Sequence, residues 1–215
     1  DKRYKLIIIN THNTDFKLIR DPQELIKDQN IKKAQEINFE LNKLFSTIRN
    51  SDKKTLFIFN KNCSSIGLSL ALACNFRACY QGTDIRFTCP EIKQSLIPEG
   101  GLCYFLIHII GISKTINLLF NLDNQKSFKK LYKKIIDFKI DSKKTLSNTI
   151  NEILDKDKKT FEKGGLTLKA LSLTFFIQKF IIETKNKNIL HKNEILNNSA
   201  YYRILDIIYC SLNNS

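Results

Sequence analysis

The sequence predicts an α/β fold that passes into a helical C-terminal portion, and three observations carry this. Two short runs, Lys5–Asn10 (KLIIIN) and Thr55–Asn60 (TLFIFN), are dense in large apolar residues and closed by polar loops, as buried strands are. Between and after them, apolar residues recur at helical spacing. From Ser127 onward the pattern is helical, with one strand-like interlude at Ile135–Ile140.

The elements follow in order. KLIIIN is a strand, and the polar stretch after it a loop. From Ile31 to Arg49 the apolar residues Ile37, Leu41, Leu44, Phe45 and Ile48 form one helical stripe, which Asn50-Ser51-Asp52 ends. TLFIFN is the second strand and Lys61–Ser65 its loop. Gly67–Cys74, rich in Ala and Leu, reads as a helix buried nearly all round. Asn75–Tyr80 and Asp84–Thr88 are strand-like runs around a Gly82 turn, and Pro90 closes the second. Ile92–Pro98 is a connector. Gly100-Gly101 opens an apolar helix to about Ile110, Gly111 interrupts it, and Ser113–Phe120 forms another. Further helices are expected at Leu146–Leu154, Leu166–Glu183 and Ala200–Leu212.

The totals bound the function. The chain has 215 residues, 42% hydrophobic and 26% charged, which suits a folded domain and not a disordered one. Met, Trp and Val are absent while Ile, Lys and Asn abound, the skew of an A+T-rich genome. Part of the +14 net charge is therefore coding bias. The basic runs, such as Lys133-Lys134 and Lys143-Lys144, are interrupted by acids and apolar residues, as solvated helix faces are. No zinc-finger spacing or basic leucine-zipper pattern accompanies them, so a nucleic-acid partner is not expected. The six cysteines include no Cys-x-x-Cys pair and stand apart from His12, His108 and His191. They read as small core fillers in a reducing compartment rather than metal ligands. His108, in an apolar helix, reads as a core or interface histidine. The longest apolar stretches fall short of the roughly 20 residues a bilayer span needs. A soluble cytoplasmic protein is expected, or one of an organelle matrix if a targeting segment has been removed.

Chemistry concentrates in Asn60–Leu119. A strand ends at Asn60 and a small-residue loop delivers the chain to the N-terminus of a buried helix, where unpaired N–H groups suit an oxyanion. Two carboxylates follow in connectors, Glu91 and Glu99. Glu99 lies between Pro98 and Gly100-Gly101, just ahead of an apolar helix, and a carboxylate beside such a segment is expected to be desolvated, its pKa rising toward general-base values.

The ordered series here resembles the crotonase (enoyl-CoA hydratase/isomerase) superfamily. Ser65-Ile66-Gly67-Leu68-Ser69-Leu70-Ala71-Leu72-Ala73-Cys74-Asn75 is similar to the family's loop and oxyanion helix. Pro90-Glu91-Ile92, Ile97-Pro98-Glu99-Gly100-Gly101 and Ile110-Gly111 follow in the family's order, and Tyr132–Ile140 resembles a later family segment. The resemblance implies a crotonase-like (ClpP/crotonase) spiral of ββα units. Residues 1–125 would form the α/β core and residues 126–215 a helical portion serving oligomerisation. The family's opening strands, which precede the segment like KLIIIN, are missing, as in a trimmed chain or a degenerate member.

The resemblance also implies a site. Two backbone N–H donors, of Ile66 and Arg20, would form the oxyanion hole for a thioester enolate. Gly67, Ser69 and Gly100 would line the substrate pocket, and Glu99 or Glu91 would move the proton. The family favours Gly or Ala where this chain has Ile66 and Arg20. Hydratases of the family use two glutamates, and the one on the oxyanion helix is Ser69 here. The other is retained as Glu91. Δ3,Δ2-Enoyl-CoA isomerases need a single base, and several carry it in a Pro-Glu-Gly turn, where this chain has Glu99. The expected function is an enoyl-CoA isomerase, with a catalytically degenerate acyl-CoA-binding or assembly subunit as the alternative and a hydratase as the second. An acyl-CoA is the expected partner, with coenzyme A as part of the substrate, no separate cofactor, no metal, and a homotrimer or hexamer as the assembly.

Overall fold

A computed structural model describes residues 3–10, 31–83, 85–93, 96–120 and 134–158, together with 203, 204 and 207. The elements in chain order are β1 (Leu6–Asn10), α1 (Ile31–Arg49), β2 (Lys54–Phe59), β3 (Cys63–Ser64), α2 (Ser65–Ala73), β4 (Phe76–Tyr80), β5 (Phe87–Thr88), α3 (Pro90–Lys93), α4 (Leu102–Ile110), α5 (Ile112–Phe120), β6 (Phe138–Ile140) and α6 (Leu146–Asp155). Among the described residues, four strands form a parallel sheet in the order β1-β2-β4-β6, and β3 and β5 pair in parallel as a separate small sheet. The chain is an α/β protein, as the sequence predicts.

Strand β2 shows why the alternating sequence Leu56-Phe57-Ile58-Phe59 sits at the centre. Phe57 and Phe59 belong to the main core with α2, α4 and α5 residues such as Leu68, Leu106 and Leu119. Leu56 and Ile58 face the other way, into a second cluster with Phe76, Ala78, Phe138, Ile140 and Ile153 of α6. A parallel strand covered on both faces needs apolar residues at every position. Helix α2 is equally committed, with eight of its nine residues buried, so its all-round apolar sequence is a core sequence. Polar ties fix the strand ends. Asn75 Oδ1 accepts from Thr55 N at 2.9 Å, and Thr55 Oγ1 accepts from Asn75 N at 2.8 Å. The Lys54 ammonium donates to the carbonyls of Ile153 at 3.0 Å and of Leu154, capping the C-terminal end of α6 where a cation suits the dipole.

Three expectations change. Strand β1 lies at the sheet edge, paired with β2, and Ile7 and Ile8 are 45% and 39% exposed, so KLIIIN is not a buried strand. The run Asp84–Thr88 contracts to Phe87–Thr88, and the connector after it opens with α3. The strands on either side of the Gly82 turn enter different sheets. The interlude near residue 135 supplies β6 to the main sheet, so the 126–215 portion contributes to the core as well as to the helices. The helices expected at 166–183 and 200–212 lie outside the described residues, apart from helical positions at 203, 204 and 207. No helix among the described residues is long and apolar enough to cross a membrane.

Candidate active site

The site forms where the small sheet runs out. Cys63 pairs with Phe87 and Ser64 with Thr88, so the two chains leave the ladder side by side. Both then turn into helices, α2 at Ser65 and α3 at Pro90. Ser64 is the N-cap of α2 and makes no side-chain capping bond. Ile66, the second residue of the helix, is buried. Its N–H belongs to the first-turn donors that no intrahelical carbonyl can reach.

Glu91 lies in the first turn of α3 and is half-buried. Its Oε1 is buried and has no hydrogen-bond partner. Burial pushes the Glu91 pKa up, the neighbouring Ser65 hydroxyl opposes this, and the nearby Glu99 carboxylate adds to the rise. A buried acceptor without a donor costs free energy in the folded protein, and such groups collect where function requires them. Cys89 and Cys103 face Glu91 as well. Burial raises both thiols, Cys103 to about 12, so they stand as neutral wall residues at neutral pH.

Glu99 sits in the turn before α4. Its carbonyl and that of Ser65 lie 3.1 Å and 2.9 Å from the hydroxyl of Ser69, which is fully buried. Ser69 thus braces the Glu99 turn against α2, and its one proton is committed to backbone. Gly100 and Gly101 follow with φ of +67° and +72°, the left-handed region glycine enters without strain. A Cβ on Gly100 would stand 2.2 Å from a ring carbon of Phe45, so glycine here admits α1 packing. The same turn borders a cavity of about 310 Å³ between α1 and α4, lined among others by Phe45, Arg49, Tyr104 and Phe105. The Arg49 guanidinium stands 5.3 Å from the Tyr104 ring centroid. His108 Nδ1 lies 2.8 Å from the Tyr104 carbonyl, a satisfied histidine on the helix.

Of the residues singled out from sequence, Ile66, Gly67, Ser69, Glu91 and Glu99 gather around the start of α2. Gly100 serves packing at its edge, and Arg20 lies outside the described residues. Ser65, Cys89 and Cys103 were not singled out in sequence as neighbours of Glu91, because their approach to it comes from the β3–β5 register and the packing of α4.

The family model for enoyl-CoA hydratase/isomerase matches residues 1–162. The fatty acid oxidation complex subunit alpha of Vibrio vulnificus is 28% identical over 147 residues, 68% of this chain and 21% of that protein. The subunit of the same name from Shewanella amazonensis is 28% identical over 150 residues, 69% of this chain and 20% of that protein. The chain therefore spans about a fifth of the length of these curated relatives. Among solved structures, enoyl-CoA hydratase from Bacillus halodurans superposes with a TM-score of 0.58 at 21% identity, over 100% of this chain and 83% of that one. That from Thermoplasma volcanium gives 0.57 at 19% identity, over 98% and 77%. These likenesses carry the fold.

Proposed function

Because the chain belongs to the enoyl-CoA hydratase/isomerase family, we propose that it shifts the double bond of a 3-enoyl-CoA thioester by a one-base proton shuttle at Glu91. The observation that carries the reading is the Glu91 carboxylate, half-buried, with a buried and unpartnered Oε1, beside the N-terminus of α2. Desolvation raises its proton affinity above that of a free glutamate, the direction that suits a carboxylate asked both to take and to return a proton. Ionised Glu91 abstracts a proton from C2 of the 3-enoyl thioester. The electron pair moves into the thioester carbonyl, and the Ile66 N–H, joined by that of Arg20, stabilises the enolate oxygen. The neutral carboxyl then returns the proton at C4, which leaves the double bond at C2 and regenerates the base. Ser69, at the hydratase acid position, has its hydroxyl tied to backbone carbonyls, which supports isomerisation over water addition.

Glu99 supports a second reading. It stands close enough to Glu91 to raise its proton affinity, and two neighbouring carboxylates suit the orientation and splitting of a water. Turnover of a 3-enoyl-CoA and hydration of a 2-enoyl-CoA separate the two. Glu91→Gln is expected to lower isomerisation about 10²–10⁴-fold, with a smaller loss for Glu99→Gln. Hydration lost equally in both variants would select the hydratase. Tight CoA binding without turnover would make the chain a non-catalytic acyl-CoA-binding or assembly subunit.

A further inference from the structure

We propose that the cleft between α1 and α4 binds an amphipathic carboxylate, with its apolar body on Phe45 and Phe105 and its head at the Arg49 guanidinium. The volume of about 310 Å³ is at the small end of ligand pockets, which run from about 300 to 1,000 Å³, so the cleft suits a short chain. Its floor and its mouth differ in chemistry. Phe45 and Phe105 are buried, whereas Asn42, Ser46 and Asn50 are exposed and follow at intervals of four residues along the mouth. Arg49 comes one helical turn after Phe45, so the charge and the apolar floor share one face of α1. At Gly101 a Cβ would stand 3.6 Å from the Phe105 ring, and the glycine leaves that side of the ring open. The Arg49 guanidinium stands 5.3 Å from the Tyr104 ring centroid, and the Tyr104 and His108 rings lie 4.3 Å apart, so an aromatic stack holds the cation against the α4 wall. Among the described residues that line the cleft Arg49 alone is charged, and a carboxylate there meets a cation and no competing acid. The planar guanidinium fork matches a carboxylate with two parallel hydrogen bonds. Neither Glu91 nor Ile66 lines the cleft, so its ligand does not depend on the reading of Glu91 as the base. Such a carboxylate has two sources, a free short-chain acid and the distal end of an acyl-CoA chain, since Gly100 and Gly101 join the cleft to the Glu99 turn.

Isothermal titration with hexanoate and with hexanamide, which share a body and differ in charge, tests the proposal. Wild type is expected to bind hexanoate about tenfold or more tightly than hexanamide, the effect of hydrogen bonds to a charged group. Arg49→Gln should erase that preference. Ser46→Trp fills the mouth from an exposed position and should weaken both ligands, which keeps the test open should Arg49→Gln fail to fold. Titration with adipoyl-CoA and hexanoyl-CoA separates the sources without any need for turnover. Tighter binding of adipoyl-CoA, in competition with hexanoate and lost in Arg49→Gln, places the end of an acyl chain in the cleft. Hexanoate that binds alongside adipoyl-CoA makes the ligand a free acid. No binding of hexanoate, equal binding of hexanoate and hexanamide, or a preference that survives in Arg49→Gln overturns the proposal. Those outcomes leave Glu91 untouched, because its reading fails only on equal turnover by wild type and Glu91→Gln.

Discussion

Glu91 sets catalysis against stability. Burial disfavours its charged form, so the folded protein holds the proton more tightly than the unfolded chain does. Between the unfolded and folded pKa values the native state binds more protons. Stability therefore falls as pH rises through that window, and the loss persists above it. Glutamine keeps the shape and removes the charge. Glu91→Gln is thus expected to melt above wild type at pH 7 even as it loses turnover, a trade common at active sites. Below about pH 4 the glutamate is protonated in both states, and the difference should shrink. Thermal melts at the two pH values check this, and a variant that melts below wild type at pH 7 would contradict it. At this scale the carboxylates were legible as acids in connectors between apolar elements. The burial of Glu91 was not, because it depends on chain from β3, α2 and α4.

The turn between α3 and α4 is where element packing can be tested. Gly100 and Gly101 both have positive φ, but only Gly100 meets a neighbour that would obstruct a side chain, the buried ring of Phe45. On Gly101 a Cβ would meet Phe105 at 3.6 Å, ordinary contact. Gly101→Ala should therefore cost only the left-handed backbone penalty, about 1–2 kcal/mol. Gly100→Ala adds overpacking against α1 and should cost about 2–4 kcal/mol. Urea melts of the two variants decide it, and equal losses would remove Phe45 from the account. The paired glycines announced a turn and a helix start in sequence. Only the packed structure distinguishes the glycine that α1 demands from the one that the backbone demands.

For the molecule as a whole, a buried ion pair joins the middle of the chain to its later part. Arg77 on β4 and Asp137, just before β6, meet at 2.9 Å with side chains 7% and 8% exposed. Arg77 also donates to the carbonyls of Ile135 at 2.7 Å and Cys74 at 3.0 Å, and Asp137 accepts from Arg77 N at 2.9 Å. Burial pulls the guanidinium pKa down and Asp137 opposes it, so the acid holds the charge in place. Removing one partner strands the other. Asp137→Asn is expected to cost about 3–5 kcal/mol, and the double variant Arg77→Met/Asp137→Leu to recover much of that loss. Denaturant melts of the single and double variants test it, and an Asp137→Asn protein as stable as wild type would show that the pair does not hold β6 to the sheet. Sequence pattern placed a strand near residue 135 but assigned no role to Arg77.

The sequence by itself determined the parts with local causes. Unbroken apolar runs marked β2 and α2, helical spacing marked α1 and α6, glycine pairs marked the turn before α4, and the ordered motifs around them identified the family. Tertiary structure alone decided which parts meet. A strand run such as KLIIIN is apolar wherever it lies, and only the sheet order made it an exposed edge. Ser65 and Glu91 are ordinary residues until parallel pairing of two-residue strands sets them side by side. Burial and proton affinity follow from contacts between distant segments, and periodicity along one segment does not encode those contacts.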